Sequence, residues 1–388
     1  MNVEDIDVYR ELQEHMDQMP IGFPATKSGI ELRILKRLFT PEEAKIATKL
    51  RYSAEITEPL ESIYERVKQI GISIGELEKI LDNMVKKGTL LYKKEGDKKY
   101  YANALFAVGI AEFQLKSFNK EFLNDFFAYA MAGFGSEIFK TKIPQLRTIP
   151  IEQSITLKDE VASYDDLKTI IENMDGPFAV QDCICRKAAD MLGRPCKVTE
   201  ARENCIGFGP IAQMYIDQGW GRQLSKEETL EILRKNEEEG LVLQPSNSLR
   251  PDFICSCCSC CCILLTMKNI FPRPVEFFAT NYYAEVDPEM CIGCGECFDR
   301  CQMKALTLDD EEKCKVDLDR CIGCGLCVTK CPQDAIVLRK KEEEIAPPKD
   351  NEELYTKILH KKVEIVKAEE ERKEKRRKRR EARKRKAE

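Results

Sequence analysis

Apolar residues recur at helical spacing between Ser73 and Gly88, where Ile74, Leu77, Leu81 and Met84 fall on one face, Ser73 offers a cap and Gly88 a stop. The pattern predicts a helix. Upstream, Thr40, Pro41 and Glu43 supply an N-cap, a first-turn proline and a capping-box acid, so a helix is expected to open there and run through Ala44, Ala47 and Leu50. Beyond Gly88 the period changes: residues 89–92 and 99–102 read as strands on either side of a turn at Glu95, Gly96 and Asp97. The apolar run ALFAVGIAEF, within residues 103–114, is expected to pack this region onto the next part of the chain. Further along, Ser225 and Glu228 form a capping box opening a helix to Glu239, Gly240 closes it, and residues 241–243 continue as a strand. Trp220, between Gly219 and Gly221, reads as a packing anchor.

Helix, helix, then hairpin is the order of a winged helix, and residues 31–118 are similar to that superfamily in layout. Lys86, Lys87, Lys93, Lys94, Lys98 and Lys99 would meet phosphates if this domain bound DNA, but Glu76, Glu78, Asp82, Glu95 and Asp97 in the same stretch weaken the local field. A protein–protein or scaffolding role is the preferred reading. At 388 residues and 43% hydrophobic composition the chain can fill two to three domains. An α+β organisation is expected. An N-terminal extension (1–30) leads into the winged-helix-like domain (31–118), followed by a connecting segment (119–160) and a Cys-rich α/β middle domain (161–270). A two-cluster ferredoxin-like domain (283–340) and a linker with a basic tail (341–388) complete the order.

The chemistry lies in the cysteines. CIGCGECFDRC at Cys291 to Cys301 is repeated as CIGCGLCVTKC at Cys321 to Cys331, each reading C-x2-C-x2-C-x3-C. That spacing points to iron and inorganic sulfide, because three thiolates in one Gly-containing loop cap one cubane while the fourth reaches the cluster of the other copy. Cys291, Cys294, Cys297 and Cys331 are therefore expected to hold one 4Fe-4S cluster, and Cys321, Cys324, Cys327 and Cys301 the second. Paired zinc sites are the alternative, but zinc ribbons present thiols from separate hairpins. This segment closely resembles the bacterial two-cluster ferredoxins over residues 283–339, which implies a pseudo-twofold fold with short strands near 284–286 and 315–317. Gln302 stands where that family usually has Pro, as the second copy does at Pro332.

A second cysteine system lies upstream: Cys183, Cys185, Cys196 and Cys205, then Cys255, Cys257, Cys258, Cys260, Cys261 and Cys262 in FICSCCSCCC. Ten thiols suffice for further iron–sulfur clusters, for zinc, or for one cluster plus a redox-active group; no standard fingerprint fits the spacing. Arg186 is read either as a donor to a cluster or as a surface ion pair. Taken whole, with the strings GFPATKSGIELRILKRLFTPEEA, CICR, GLVLQPSN and NYYAEVDPEMCIGCG, the chain resembles a family of ferredoxin-type 4Fe-4S dicluster proteins from anaerobes. That resemblance implies the cofactor and no specific reaction.

Nineteen cysteines without a charged-then-apolar leader in residues 1–30 point to a reducing, cytoplasmic compartment with the thiols as ligands. No apolar run approaches the ~20 residues of a bilayer span. Net charge of −5 conceals a basic end, since from Arg372 to Lys386 the only acids are Glu374 and Glu381. A cationic helix or disordered arm is expected there, with nucleic acid, an anionic membrane face or an acidic redox partner as conceivable targets. His15 and His360 lack partners at useful spacing, and no P-loop, GxSxG or HExxH occurs. Gly207 and Gly209 make a bare GxG that does not read as dinucleotide binding. The function expected is a cytoplasmic iron–sulfur electron carrier or subunit, rather than a stand-alone enzyme, that docks on a partner redox protein. The alternatives are an iron–sulfur redox sensor that binds DNA, and a reductase acting through the Cys255 to Cys262 group.

Overall fold

The capping box expected at Thr40 and Glu43 forms and opens its helix. The computed structural model describes residues 3–155 and 162–385, so the expected boundary at 160/161 and the last residues of the tail lie outside it. Helices α1 (Val3–Asp17), α2 (Ile30–Leu38) and α3 (Pro41–Ala47) pack together; Thr40 caps α3, its hydroxyl accepting from Glu43 N. Strand β1 (Glu58–Pro59) and helix α4 (Leu60–Val67) precede α5 (Ile74–Lys86), which Ser73 and Glu76 cap in the same way. β1 and α4 escape pattern reading because one is two residues long and the other buries only Ile63 and Val67. The hairpin β2 (Leu90–Glu95) and β3 (Lys98–Asn103) pairs Glu95 with Lys98, and the sheet order is β1-β3-β2. Residues 106–110 are irregular and lead to the short helix α6 (Ala111–Phe113), then α7 (Lys120–Tyr129) and α8 (Gly135–Phe139). Helix α7 returns onto α2, and Phe23, Phe106, Tyr129 and Phe134 form an aromatic nucleus beneath it.

The middle region opens with α9 (Leu167–Glu172) and builds a five-stranded sheet. Its strands are β4 (Phe178–Asp182), β5 (Glu203–Phe208), β6 (Gly221–Leu224), β7 (Val242–Pro245) and β8 (Phe253–Cys257), in the order β6-β4-β5-β8-β7. Every pairing is antiparallel, so the expected α/β domain is instead a local α+β unit, with helices carried in the connections between its strands. Helices α10 (Ile184–Met191), α11 (Gly209–Asp217), α12 (Lys226–Glu239) and α13 (Ile263–Asn269) surround the sheet. Helix α12 opens on the Ser225/Glu228 capping box and ends on Gly240 in the left-handed region. Ile206, Leu233, Leu243 and Ile254 fill the sheet face beneath α12. Trp220, 9% exposed, stacks on Phe113 at 5.3 Å between ring centroids, joining the run at 103–114 to this region.

The remaining chain forms two small antiparallel ribbons, β9 (Tyr282–Val286) with β12 (Ile336–Lys340) and β10 (Leu306–Leu308) with β11 (Cys314–Val316), around helix α14 (Glu296–Arg300). Their two halves share one device. Gly293 and Gly323 have φ of +69° and +61°, and a Cβ on either would lie 2.2 Å from a backbone oxygen, of Glu312 and Tyr282 respectively. Helix α15 (Asn351–Arg385) then docks its first turns on the N-terminal body, burying Leu354 and Ile358 and setting Tyr355 edge-to-face with Tyr52. Lys362 pairs with Glu137 at 2.8 Å and donates to Asp17 O and Met19 O.

Gly323→Ala should destabilise the protein by on the order of 2–4 kcal/mol, combining a left-handed backbone with a collision against Tyr282, as read by anaerobic urea unfolding. Glu237, 1% exposed and accepting from Glu152 N at 3.2 Å, is pushed up to about 7, chiefly by burial. Because the folded state holds that proton more tightly than the unfolded chain, stability is full below the ordinary carboxylate range and falls as pH rises to about 7. Glu237→Gln should flatten this decline by on the order of 1–3 kcal/mol across that window, measured as urea midpoints against pH.

Candidate metal centres

The tandem motifs place their thiols in two groups. Cys291, Cys294, Cys297 and Cys331 line one cavity of ≈ 20 Å³, and Cys301, Cys321, Cys324 and Cys327 line another of ≈ 20 Å³. Each group thus takes three cysteines from one repeat and one from the other. Backbone amides aim at the sulfurs in matched pairs: Ala284 N donates to Cys321 Sγ at 3.3 Å and Cys314 N to Cys291 Sγ at 3.3 Å. Ala305 N and Ala335 N likewise donate to Cys301 Sγ and Cys331 Sγ, both at 3.2 Å. Such N–H groups favour thiolate over thiol and tune a bound cluster. Ile322 and Leu326 are buried beside the second cavity, whereas Ile292 is exposed. Cys314, which motif spacing did not single out, lines the first cavity with its Sγ 3.7 Å from Cys297 Sγ. Its place on β11 matches that of Ala284 on β9, a symmetry visible only once the ribbons are paired.

The ten upstream thiols divide into two sets. Cys196, Cys258, Cys260 and Cys261 bring their sulfurs within 4.8 Å of one another, with Cys196 Sγ 3.6 Å from Cys258 and 3.7 Å from Cys260. Cys258 is buried while Cys260 is exposed, so this quartet reaches the surface at one edge. Burial raises the Cys196 thiol, but the amides of Val198 and Thr199 with Arg186 and Cys258 outweigh it and bring it down to about 6. The other six, Cys183, Cys185, Cys205, Cys255, Cys257 and Cys262, line one internal cavity. Register explains part of that grouping. Gln181, Cys205, Cys255 and Gln244 are direct cross-strand partners on β4, β5, β8 and β7, and therefore stand in one row on one sheet face.

Arg186 lies between the sets. It is 1% exposed, donates to Ser256 O at 2.9 Å and Cys258 Sγ at 3.6 Å, and leaves Nε and Nη1 without partners. The surface ion pair considered for it is therefore ruled out. A buried guanidinium with two unsatisfied donors is costly unless negative charge surrounds it, which ligated thiolates supply. The donor chemistry and this cation fit an anionic thiolate-bound metal cluster.

Gln302 links the two cysteine regions. Its Oε1 accepts from Ser259 N at 2.8 Å and Ser259 Oγ at 3.0 Å, and its Nε2 donates to Gly240 O at 3.1 Å. Ser259 separates Cys258 from Cys260, and Gln302 directly follows Cys301. Arg300 adds a contact to the end of α12, donating to Glu238 O at 2.8 Å. The residue that departs from the ferredoxin pattern is thus one of those that join the regions.

Other singled-out residues take structural places. Lys87 pairs with Glu43, Lys93 with Glu95, and Lys99 with Glu78 and Asp82. His15 Nε2 contacts Leu50 O at 2.9 Å. Among the described residues no helix is long and apolar enough to cross a membrane.

No curated protein and no solved structure matches the chain. Residues 284–338 match the family model of the 4Fe-4S dicluster domain. The two cavities lined by the tandem motifs lie inside an iron–sulfur domain of that type, and the ten upstream thiols form a separate Cys-rich region beyond its reach.

Proposed function

We propose that the chain is a cytoplasmic electron-transfer protein with two 4Fe-4S clusters in residues 284–338 and a third metal centre in the middle region, relaying low-potential electrons to or from a partner redox protein. Cys291, Cys294, Cys297 and Cys331 hold one cluster; Cys321, Cys324, Cys327 and Cys301 hold the other; Cys196, Cys258, Cys260 and Cys261 hold the third centre. When bound, such clusters supply one-electron oxidation and reduction with little movement of atoms. The observation that carries the reading is the Gln302 bridge, which ties the residue after Cys301 to the residue between Cys258 and Cys260. A relay needs its sites held at fixed, short separation. Arg186 holds positive charge beside the third site, and the amides on Cys321, Cys291, Cys301 and Cys331 do the same for the pair. The helix–helix–hairpin order, completed by β1, supports a winged-helix-like scaffold for the N-terminal body. A DNA-binding role draws little support, since Lys87, Lys93 and Lys99 are neutralised by neighbouring acids.

Anaerobically prepared protein should contain about twelve irons, against about eight for the dicluster domain alone. Zinc in the quartet with about eight irons would reject the relay beyond the pair. Gln302→Pro, which installs the residue present at Pro332, should keep iron content and slow electron passage to the middle centre by about tenfold or more, followed by freeze-quench EPR after rapid reduction. An unchanged rate would remove Gln302 from the route. Arg186→Gln should lower the midpoint potential of the middle centre and leave the dicluster signals in place, as read by EPR-monitored titration.

A further inference from the structure

The six thiols outside the quartet, together with Cys258 and Cys261 of the quartet, line an internal cavity of ≈ 150 Å³. Its floor is the thiol row of the sheet together with Cys183, Cys185 and Cys262. Its roof comes from the N-terminal body, including Leu105, Phe113, Phe122, Leu123, Phe126 and Phe134. The walls on that side are apolar and aromatic, and a cavity of this size and lining takes a molecule of about one six-membered ring. Among the polar groups of the floor, Gln244, 2% exposed, is the cross-strand partner of Cys255 and has Nε2 without a hydrogen-bond partner. A buried amide N–H left unpaired is disfavoured, so a ligand acceptor placed there is rewarded.

Charge narrows the class further. The carboxylate of Glu112 lines the cavity and accepts from Gly109 N at 2.6 Å, and Asp252 lines it too. Arg186 is the lining cation; it donates to Ser256 O and Cys258 Sγ, and on the metal reading its free Nε and Nη1 are matched by the thiolates of Cys183, Cys196 and Cys257 around it. An anion would find no counter-charge of its own, and any ion would shed its water against aromatic walls.

We propose that this cavity is a ligand site for a small neutral organic molecule, with an apolar body and one hydrogen-bond acceptor, which it presents to the cysteines that line it. The proposal rests on the reading that the quartet of Cys196, Cys258, Cys260 and Cys261 holds metal, because Cys258 and Cys261 also line the cavity and set that centre beside the ligand. It assigns the aromatic roof to ligand shape and Gln244 to ligand orientation.

The test uses the anaerobic, full-length, reduced protein with three probes: fluorobenzene, 4-fluorophenol and 4-fluorobenzoate, observed by fluorine NMR. The two neutral probes should show saturable broadening from nearby paramagnetic iron, with the benzoate weaker by at least about tenfold. Gln244→Leu should reduce the preference for 4-fluorophenol over fluorobenzene by about three- to tenfold. Ala130→Phe and, separately, Leu123→Trp should fill the cavity and abolish broadening of both, with EPR of the dicluster domain confirming that each variant is folded. Absence of saturable broadening in protein with its full iron content would overturn the ligand site, as would broadening that survives both filling variants. Saturable probe binding without broadening, in protein holding only about eight irons, would sustain the cavity and overturn the metal reading instead.

Discussion

Sulfur ligands crowded into a dry interior repel one another once ionised, and each loses hydration that nothing apolar replaces. A chain with nineteen cysteines can gather them only where donors and positive charge are already fixed. In residues 284–338 the donors are backbone amides, delivered in pairs by ribbons related by a pseudo-twofold. In the middle region the source is Arg186, a buried cation whose own cost is offset only by the thiols around it. Much of the remaining fold serves to hold those donors in place: Gly293 and Gly323 allow the loops to close against backbone, and the antiparallel sheet sets Cys205 beside Cys255.

The regions are coupled through backbone as much as through side chains. Helix α12 ends on Gly240, whose left-handed turn presents carbonyls at 238 and 240 to Arg300 and Gln302. A cation at a helix C-terminus is favoured by the peptide dipoles, so Arg300 adds electrostatic preference to what would otherwise be a geometric contact. The same glutamine grips Ser259 within the densest cysteine run. The dicluster domain and the quartet are therefore held in a fixed relation, which a flexible linker would not provide.

How much of the fold and the candidate site is legible in the chain varies with sequence distance. Thr40, Ser73 and Ser225 announce their helices because capping chemistry is completed within four residues, and the tandem cysteine spacing is local in the same sense. Trp220 reads as an anchor, but its partner Phe113 lies over a hundred residues away and carries no signal. Cys314 escapes notice because it belongs to no motif; only the pairing of β10 with β11 brings it beside Cys297. Gln302 looks like a loosened turn and is a bridge, since its partners come from two distant segments.

The sequence by itself determined the ligand chemistry of residues 284–338, the helices that carry their own caps, and the abundance of thiols upstream, because each is encoded by residues a few positions apart. Only the tertiary structure decided how ten upstream cysteines divide into a quartet and a row of six. That partition depends on strand register and on the approach of Cys196 to a loop some sixty residues later, and such contacts are set by packing of the whole sheet and not by spacing along the chain.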